Sequence, residues 1–589
     1  MGITRRNLIG AGTAVSAGLL LPLGGGTAAR ALVPVGVTPF TEQLPTLATL
    51  GVVDATAEAT ATIEMVNATH QFHAALAPTP TFAYRTVSVG GSAVAGSQTY
   101  LGPVIVARQG TPLDLTVRNR LGAHPLAAAI DGALVPTGSH DDTGPRAATH
   151  LHGGNTDPDN DGGPTDTFLP GAEFTYHYPN SQEAAGIWYH DDALGITRLN
   201  VYAGLAGGYL LRNGDDPGDG TRLPAPPYEQ PLVLQDRMFN ADGTFGYPPN
   251  MNPTTPRPWA PEFFGDVATV NGKIWPTLAV DRGKYRFRVY NGSNARYYNL
   301  KLKSSLGTTL TFVQIGSDGG LLNAPVALSK LLLGPGERAD LVIDFAPLPA
   351  GTLVRLTNDA PVPFPNGPRA ARRGGMALPD LMQFTVTAAP GWTSPLPASL
   401  RAVPITPLAT AARPVAATRS MTLVEILDAA GAPVMALLNN RMFHTSERTT
   451  VARGTLEQWD LINTTGDAHP IHLHFTQFQV LNRQKFDVAG YQAAAGYTLP
   501  LVEGTGSYPP PPVTPFLKGG ATAAPANERG WKDTVTAMPG EVTRIVVPFG
   551  ANAAGSVTAF QSSFTGEYVW HCHILEHEDN DMMQSYVIS

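Results

Sequence analysis

The chain of 589 residues contains a single cysteine, Cys572. An intramolecular disulfide is therefore impossible, and the lone thiol must serve another purpose. Charge is also scarce, because Asp, Glu, Lys and Arg make up 15% of the residues and the net charge is −8. Without a basic surface to neutralise phosphates, the chain is not expected to bind nucleic acid.

Long apolar runs are missing as well. The best candidate, residues 8–23, is diluted by glycine and is shorter than the roughly 20 residues needed to span a membrane. It follows Arg5 and Arg6 and precedes a small-x-small site ending at Ala31, a pattern typical of a twin-arginine signal over residues 1–31. A membrane anchor is the alternative. The pattern predicts export by the twin-arginine machinery to the periplasm, the cell surface or the medium, without stable membrane insertion.

Glycine and proline are abundant, with 62 and 53 residues, which favours short strands joined by turns. A Gly turn followed by a β-rich run ending in Asn recurs three times, in Val106–Asn119, Val280–Asn291 and Val451–Asn463. The sequence therefore predicts an all-β protein of three β-sandwich domains in tandem. Pro-rich connectors set their limits at 45–213, 225–388 and 408–589, and the Pro-rich segment 503–530 is predicted to be a surface loop.

Histidine is absent between residues 191 and 443, although the chain has 15. Nine histidines cluster in four short motifs, HLHGG, WYHDD, HPIHLH and HCHILEHEDNDMM. They are His150, His152, His190, His469, His472, His474, His571, His573 and His577. This clustering places metal chemistry in the first and third domains and leaves the middle domain as a spacer or support.

Side-chain alternation along a strand divides the HCH motif, because His571 and His573 share one face and Cys572 takes the other. The side chains that can join the sulfur are two histidines and a methionine at suitable spacing: His469, His577 and Met582. A His2Cys set with a weak axial thioether is a blue-copper electron-transfer site. The seven remaining motif histidines are predicted to face a second metal centre between the outer domains, reached through the neighbours of Cys572.

With these motifs, and with TRLNVYAGLAG, VNGKIWP and KYRFRVYNGSN, the chain resembles the multicopper oxidases. Within them it is most similar to the bacterial three-domain group of spore-coat laccases, bilirubin oxidases and phenoxazinone synthases. The resemblance implies three cupredoxin-like (Greek-key β-sandwich) domains and four copper ions. It assigns His469, Cys572, His577 and Met582 to type 1 copper, His150 and His472 to type 2, and His152, His190, His474, His571 and His573 to the type 3 pair.

The resemblance also implies an activity, in which small aromatic donors such as phenols and aminophenols lose single electrons and O2 is reduced to water. Donors are expected to dock near an exposed edge of His577. Methionine is sparse, with 12 residues and no Met-rich segment. Since thioethers bind Cu(I), this scarcity favours organic donors over metal ions.

Asp192 departs from the family pattern, because a sixth type 3 histidine is expected at its position. By parity it shares the face of His190, and the resemblance gives its copper to His474 and His571 as well. A carboxylate is harder and shorter than imidazole and favours Cu(II). Three alternatives follow: Asp192 ligates copper, directly or through water, in a slower oxidase; copper is only partly bound and O2 reduction is impaired; or the chain is a copper-binding or scaffold protein with an intact blue site.

Two further acids, Asp161 and Glu578, stand where relatives carry acids that help to deliver protons during O2 reduction. Reduction of O2 to water consumes protons, so carboxyl groups near the metal have a chemical use. The alternatives are a solvated turn for Asp161 and a surface acid for Glu578.

Overall fold

The computed structural model describes residues 36–248, 257–367, 378–410, 414–429, 431, 433–445, 447–550 and 564–589. The predicted export signal at 1–31 lies outside these residues. In the part of the chain that is described, no helix is both long and apolar enough to cross a membrane.

The first domain pairs two five-stranded sheets, ordered β1-β5-β10-β9-β7 and β4-β3-β2-β6-β8. Its strands are β1 (Val52–Ala55), β2 (Thr60–His70), β3 (Thr79–Val89), β4 (Ser92–Ala93), β5 (Val104–Arg108), β6 (Leu113–Arg120), β7 (Thr149–His152), β8 (Glu173–Tyr178), β9 (Gly186–Asp191) and β10 (Ala206–Arg212).

The middle domain pairs a seven-stranded sheet, ordered β13-β12-β11-β15-β21-β18-β19, with a six-stranded one, β14-β23-β22-β16-β17, in which β20 also pairs with β16. Its strands are β11 (Glu229–Arg237), β12 (Val267–Val270), β13 (Lys273–Ile274), β14 (Thr277–Arg282), β15 (Lys284–Asn291), β16 (Tyr298–Ser304), β17 (Thr309–Leu310), β18 (Phe312–Ser317), β19 (Gly320–Leu328), β20 (Leu331–Leu333), β21 (Arg338–Asp344), β22 (Leu353–Asn358) and β23 (Asp380–Pro390).

The third domain pairs a six-stranded sheet, β25-β24-β27-β32-β29-β30, with a five-stranded one, β26-β34-β33-β28-β31. Its strands are β24 (Ala417–Leu427), β25 (Pro433–Leu438), β26 (Thr449–Val451), β27 (Thr455–Asn463), β28 (His469–Leu473), β29 (Gln479–Phe486), β30 (Leu517–Ala523), β31 (Thr534–Ala537), β32 (Glu541–Phe549), β33 (Gly566–Cys572) and β34 (Met583–Ile588).

Helices are few and short in the described residues. They are α1 (Leu47–Leu50), α2 (Thr197–Ala203), α3 (Val488–Ala494) and α4 (Leu575–Glu578), with single 3-10 turns at Ala127–Ala129, Pro158–Asn160, Thr514–Phe516 and Ala526–Glu528. A separate apolar core fills each pair of sheets. The prediction of an all-β protein with three sandwich domains is confirmed, and the limits proposed for those domains remain predictions.

The three repeated segments occupy equivalent central strands. β6, β15 and β27 each lie between one parallel and one antiparallel neighbour. Each run ends in a fully buried asparagine whose Oδ1 accepts a hydrogen bond from the backbone N–H two residues later, at 3.0 Å for Asn119, 3.1 Å for Asn291 and 2.9 Å for Asn463. This Asx turn ends a core strand without leaving buried backbone groups unpaired.

The prediction of a surface loop for 503–530 is partly wrong. Within it, β30 pairs antiparallel with β29 and forms an exposed edge of the sheet. Its sequence, LKGGATA, shows no apolar alternation because both of its faces meet solvent. The backbone hydrogen bonds of a strand do not depend on that alternation, so the sequence pattern could not reveal it.

Candidate metal centre

Two pairs of strands carry most of the motif histidines. β7 pairs with β9, which sets His150 opposite His190 in the first domain. β28 pairs with β33, which sets His472 opposite His571 in the third. All nine motif histidines expose at most 1% of their surface. Because burial penalises the imidazolium, it lowers the pKa of each of them and keeps the rings neutral, the form that binds metals.

Histidines from the two domains meet in compact groups. In each group the possible ligand atoms lie within 4.8 Å of one another. The groups that span the two domains are His150–His472–His474, His152–His190–His573, Asp192–His474–His571 and His152–His472–Asp533. The second and third match sets that the family resemblance implies for the type 3 pair, and the first adds His474 to the two histidines implied for type 2.

Backbone carbonyls hold four of the rings through Nδ1. These are His150, His190, His472 and His571, with N···O distances of 2.7, 2.9, 2.9 and 3.1 Å. Since Nδ1 is the donor, Nε2 carries the lone pair and can bind a metal. The Nε2 atoms of His150 and His472 lie 3.5 Å apart, and those of His474 and His571 lie 3.1 Å apart.

His152 differs from these four rings, because its Nδ1 and not its Nε2 is available to a metal. Its Nε2 donates to Oδ1 of Asp533 at 3.0 Å and lies 3.0 Å from the Thr534 hydroxyl. Nδ1 is therefore the atom that carries the lone pair, and it lies 3.3 Å from Nε2 of His190. The tautomer of each ring thus follows from the partner of its second nitrogen.

Asp192 lies in the metal centre and Asp191 does not. Asp191 turns into the first domain, where it accepts hydrogen bonds from Asn200 and from two backbone N–H groups. Asp192 is fully buried, its Oδ2 lies 3.9 Å from Nε2 of His474, and among the described residues neither of its oxygens has a hydrogen-bond partner. Burial and the nearby Glu578 raise the pKa of Asp192 well above its usual value.

The two predicted proton-delivery acids both touch ligand-group histidines. Asp161 accepts from Nδ1 of His474 at 2.7 Å and lines a cleft of about 790 Å³ that is open to solvent. Glu578 places Oε2 at 3.0 Å from Nδ1 of His571. Their exposed fractions are 5% and 1%, so neither the solvated turn nor the surface acid describes them. Burial raises the pKa of both carboxyl groups.

The predicted blue-copper residues form a separate group. Sγ of Cys572 lies 3.5 Å from Nδ1 of His469 and 3.7 Å from Nδ1 of His577. Nε2 of His469 lies 2.7 Å from the Thr465 hydroxyl, which leaves its Nδ1 for a metal. Met582 is fully buried in the same apolar cluster as Cys572. Burial raises the pKa of the Cys572 thiol, so a bound cation would be needed to hold it as thiolate.

The expectation of an exposed edge on His577 is wrong, because the side chain is 1% exposed. The helix α4 that carries it is covered from two sides. Trp259 of the middle domain donates its indole N–H to the Glu576 carbonyl at 2.8 Å. Asn580 donates to the carbonyl of Val434, on β25, at 2.9 Å.

The comparisons with known proteins agree with this arrangement. Models of the multicopper oxidase family match residues 144–216 and 416–589. The laccase of Bacillus subtilis (strain 168) is 38% identical over 568 residues, which cover 92% of this chain and 97% of that protein. The multicopper oxidase LPR1 of Arabidopsis thaliana is 34% identical over 532 residues, covering 89% and 87%.

Among solved structures, the McoA multicopper oxidase of the hyperthermophile Aquifex aeolicus shares the fold with a TM-score of 0.69 at 23% identity, over 94% of this chain and 100% of that one. The chain belongs to the multicopper oxidase family, and its domains are cupredoxin-like. Within that family it is a member of the laccase group, an oxidase that uses O2 as electron acceptor.

Sequence reasoning missed the residues that hold the rings of His152 and His472. Asp533 and Thr534 belong to the segment WKDT, whose hydrophobic pattern indicates only a strand. Arg338 of the middle domain holds Asp533 from 195 residues away. An acid directly before a strand in a chain with so few charges was the one local signal.

Proposed function

We propose that the protein is a laccase-type oxidase that takes single electrons from phenols, aminophenols or related aromatic donors and reduces O2 to water. The observation that carries the proposal is the HCH motif: Cys572 belongs to one ligand group, and His571 and His573 belong to two others. Bound copper supplies reversible one-electron chemistry at these groups. The backbone of three consecutive residues then links the donor side of the molecule to the O2 side.

The residues present fit copper at four positions. Imidazole suits several metals, but a thiolate with a thioether beside it selects copper. The proposed ligands are His469, Cys572, His577 and Met582 for type 1; His150 and His472 for type 2; and His152, His190, His573, His474, His571 and Asp192 for the type 3 pair.

Asp192 suits its proposed place as a ligand. Two atoms bound to one ion at about 2 Å can lie up to about 4 Å apart, which accommodates Asp192 and His474. Burial disfavours the charged form of Asp192, and a cation between it and the two histidines would offset that penalty. We therefore favour a modified oxidase in which Asp192 binds directly over one with an empty position.

Asp161 and Glu578 would supply protons during O2 reduction. Asp161 lies between the cleft and His474, so a proton taken up from water there has a short path inward. Glu578 lies beside His571 and Asp192. Burial raises the pKa of both carboxyl groups, which favours the protonated form that a proton donor requires.

Copper content and oxygen uptake, measured together, test the proposal. Copper-loaded protein should be blue and should consume O2 when an aromatic donor is supplied, and anomalous scattering at the copper edge should show one of four peaks next to Asp192. Asp192→His should keep the copper content and raise the uptake rate, because a third imidazole stabilises Cu(I). Asp157→His, which adds an imidazole in the cleft, is the matched control.

Blue protein that consumes no O2 with any aromatic donor would instead indicate a copper-binding protein. Unchanged copper content and unchanged uptake in Asp192→His would show that the carboxylate is an equivalent ligand and that the enzyme is not slowed.

We further propose export by the twin-arginine route, from the pattern in residues 1–31. In a bacterial host, Arg5→Lys combined with Arg6→Lys should leave the protein inside the cytoplasm in unprocessed form, which cell fractionation would reveal. Release of the double variant at the normal level would contradict this route.

A further inference from the structure

The middle domain contains no histidine, yet it reaches the metal centre with the turn that leads into β21. We propose that Gly336 of this turn and Arg338, the first residue of β21, are positioning residues for the copper site of His152, His190 and His573. Arg338 determines which nitrogen His152 offers, and Gly336 sets the orientation of the His573 ring. The inference deepens the proposed function, because it rests on these histidines being copper ligands.

Arg338 holds Asp533 through both ends of its guanidinium group. Nη1 lies 2.5 Å from Oδ1 and Nη2 lies 2.5 Å from Oδ2, a two-point ion pair that fixes the plane of the carboxylate. Arg338 is itself held, since Nη1 donates to the Gly336 carbonyl at 3.2 Å and Nη2 donates to the Asp318 carbonyl at 3.1 Å. The carboxylate therefore cannot rotate without breaking a buried ion pair.

The fixed carboxylate acts on His152. Oδ1 of Asp533 accepts the Nε2–H of His152 at 3.0 Å, so Nδ1 is left for the metal. Oδ1 also lies 3.5 Å from Nδ1 of His472. A carboxylate released from Arg338 could turn to His472 or enter the metal centre itself, because Asp533 forms a possible ligand group with these two histidines. Arg338 prevents both.

His573 needs a different form of positioning. In the described part of the chain, it is the one ligand-group imidazole of the His-rich centre whose two ring nitrogens both lack a hydrogen-bond partner. Its orientation depends on packing. Gly336 has φ +78°, and a Cβ there would lie 2.6 Å from Cγ of His573 and 2.7 Å from Cδ2. The glycine backbone therefore rests directly on the imidazole ring.

A second glycine leaves room for the side chain of Arg338. Gly153, directly after the HLH motif, has φ +92°, and a Cβ there would lie 2.8 Å from Nη2 of Arg338 and 3.0 Å from Oδ2 of Asp533. All three domains thus converge on one carboxylate, with Gly153 from the first, Arg338 from the middle and Asp533 from the third.

Arg338→Lys tests the two-point contact, because lysine keeps the positive charge but cannot bond to both carboxylate oxygens in the way a planar guanidinium group does. We expect the copper position of His152 to lose affinity by about 10- to 100-fold against a chelator, as for other residues that orient metal ligands. The copper pair should become visible by electron paramagnetic resonance, while the blue absorbance of the Cys572 site stays unchanged.

Arg212→Lys is the matched control. Arg212 forms a buried two-point pair with Glu229, at 2.6 and 3.0 Å, and this pair crosses the boundary between the first and middle domains away from the motif histidines. If both variants lower the unfolding temperature and neither changes copper affinity or the resonance spectrum, Arg338 is only structural and the proposal fails.

Gly336→Ala tests the contact with His573, and Gly540→Ala is its control. Gly540 has φ +67°, but the nearest atom to an added Cβ is 3.9 Å away, so it reports backbone strain alone. Gly336→Ala should change the spectrum of the copper pair and Gly540→Ala should not. Identical spectra for the two variants would overturn the role of Gly336.

Crystal structures of the metal-free variants separate this proposal from the proposed function. In metal-free Arg338→Lys, the Asp533 carboxylate and the His152 ring should be rotated from their positions in the wild type, whether or not the loaded enzyme turns over. Unrotated side chains in a folded variant would contradict the inference, and absence of oxidase activity in the wild type would not affect it.

Discussion

At the scale of the residue, Asp161 contacts the metal centre twice. Its carbonyl accepts from His150 at 2.7 Å, and its carboxylate accepts from His474 at the same distance. The backbone contact orients one ring, and the side chain orients another while facing the solvent-filled cleft. These two contributions can be separated, because a substitution changes only the second.

Asp161→Asn should slow oxygen uptake by about 10- to 100-fold, because the amide keeps the size of the side chain but cannot carry a proton inward. The blue absorbance should stay the same, since the Cys572 group is not touched. Steady-state uptake and visible spectra would measure both. Asp166→Asn, in the same cleft without a contact to a motif histidine, should behave as wild type; equal loss in both variants would point to the charge of the cleft instead.

Asp192 gives a prediction for the metal-free protein. Its folded pKa is raised above the unfolded value, so the folded state binds the proton more tightly and wild-type stability falls as the pH rises above about 3.8 toward the folded pKa. The introduced amide does not titrate, so the variant Asp192→Asn does not lose this stability. Between the unfolded and the folded pKa, its free energy of unfolding should rise relative to that of the wild type by about 1.4 kcal/mol per pH unit. Denaturant unfolding at several pH values measures it.

With copper bound, the wild type should instead be more stable than Asp192→Asn, because an amide is a poorer copper ligand than a carboxylate. A stability difference between wild type and Asp192→Asn that does not depend on pH would show that the carboxyl group is not perturbed in the folded protein.

The grouping of the motif histidines could be predicted from the sequence, because spacing by two along a strand puts His150 with His152 and His571 with His573. The hydrogen-bond partner of the second ring nitrogen of each histidine could not be predicted. Asp533 lies 381 residues from His152, and it acts through a contact that forms only when the domains have packed. The burial of His577 was also missed, and the helix α4 that carries it is held by Trp259 of another domain.

At the scale of the element, the strand that ends in a buried asparagine is the repeated unit of the fold. Asn291 donates to two backbone carbonyls, at 2.9 and 3.0 Å, besides accepting from the backbone N–H of Ser293. Such a side chain replaces the backbone partners that a strand loses where it ends. The repeat could be predicted because ending a buried strand in this way requires an asparagine at the last position. The exposed strand β30 requires no such residue, so the sequence did not reveal it.

Asn291→Ala should destabilise the metal-free protein by about 2–4 kcal/mol, because it leaves buried backbone groups without partners at about 1–3 kcal/mol each. Urea unfolding followed by fluorescence would measure the loss. Asn366→Ala, which removes an exposed side chain with one hydrogen bond, should change stability by no more than about 0.5 kcal/mol. Equal effects would mean that the buried Asx turn contributes nothing beyond an ordinary surface contact.

At the scale of the whole molecule, the proposed copper centre connects the two outer domains, and the middle domain has an apolar core of its own. A ligand that binds only the native state stabilises the parts that must be folded to bind it. The parts in question are β7 and β9 on one side and β28 and β33 on the other.

Copper added to the metal-free protein should therefore slow hydrogen exchange in β7, β9, β28 and β33 more than in the strands β14, β16 and β22 of the middle domain. Exchange measured by mass spectrometry, with and without copper, would show the contrast. Uniform protection of all three domains would indicate that the molecule opens only as a single unit.

The division of the histidine groups between the two outer domains has a consequence for biosynthesis. Every histidine group of the centre takes ligands from both ends of the chain, and two of the three proposed positions use a residue of the HCH motif, within the last 19 residues. The two positions that use the HCH motif cannot form on a nascent chain before these late residues have been made. A chain terminated before residue 469 would keep its first-domain histidines without their third-domain neighbours.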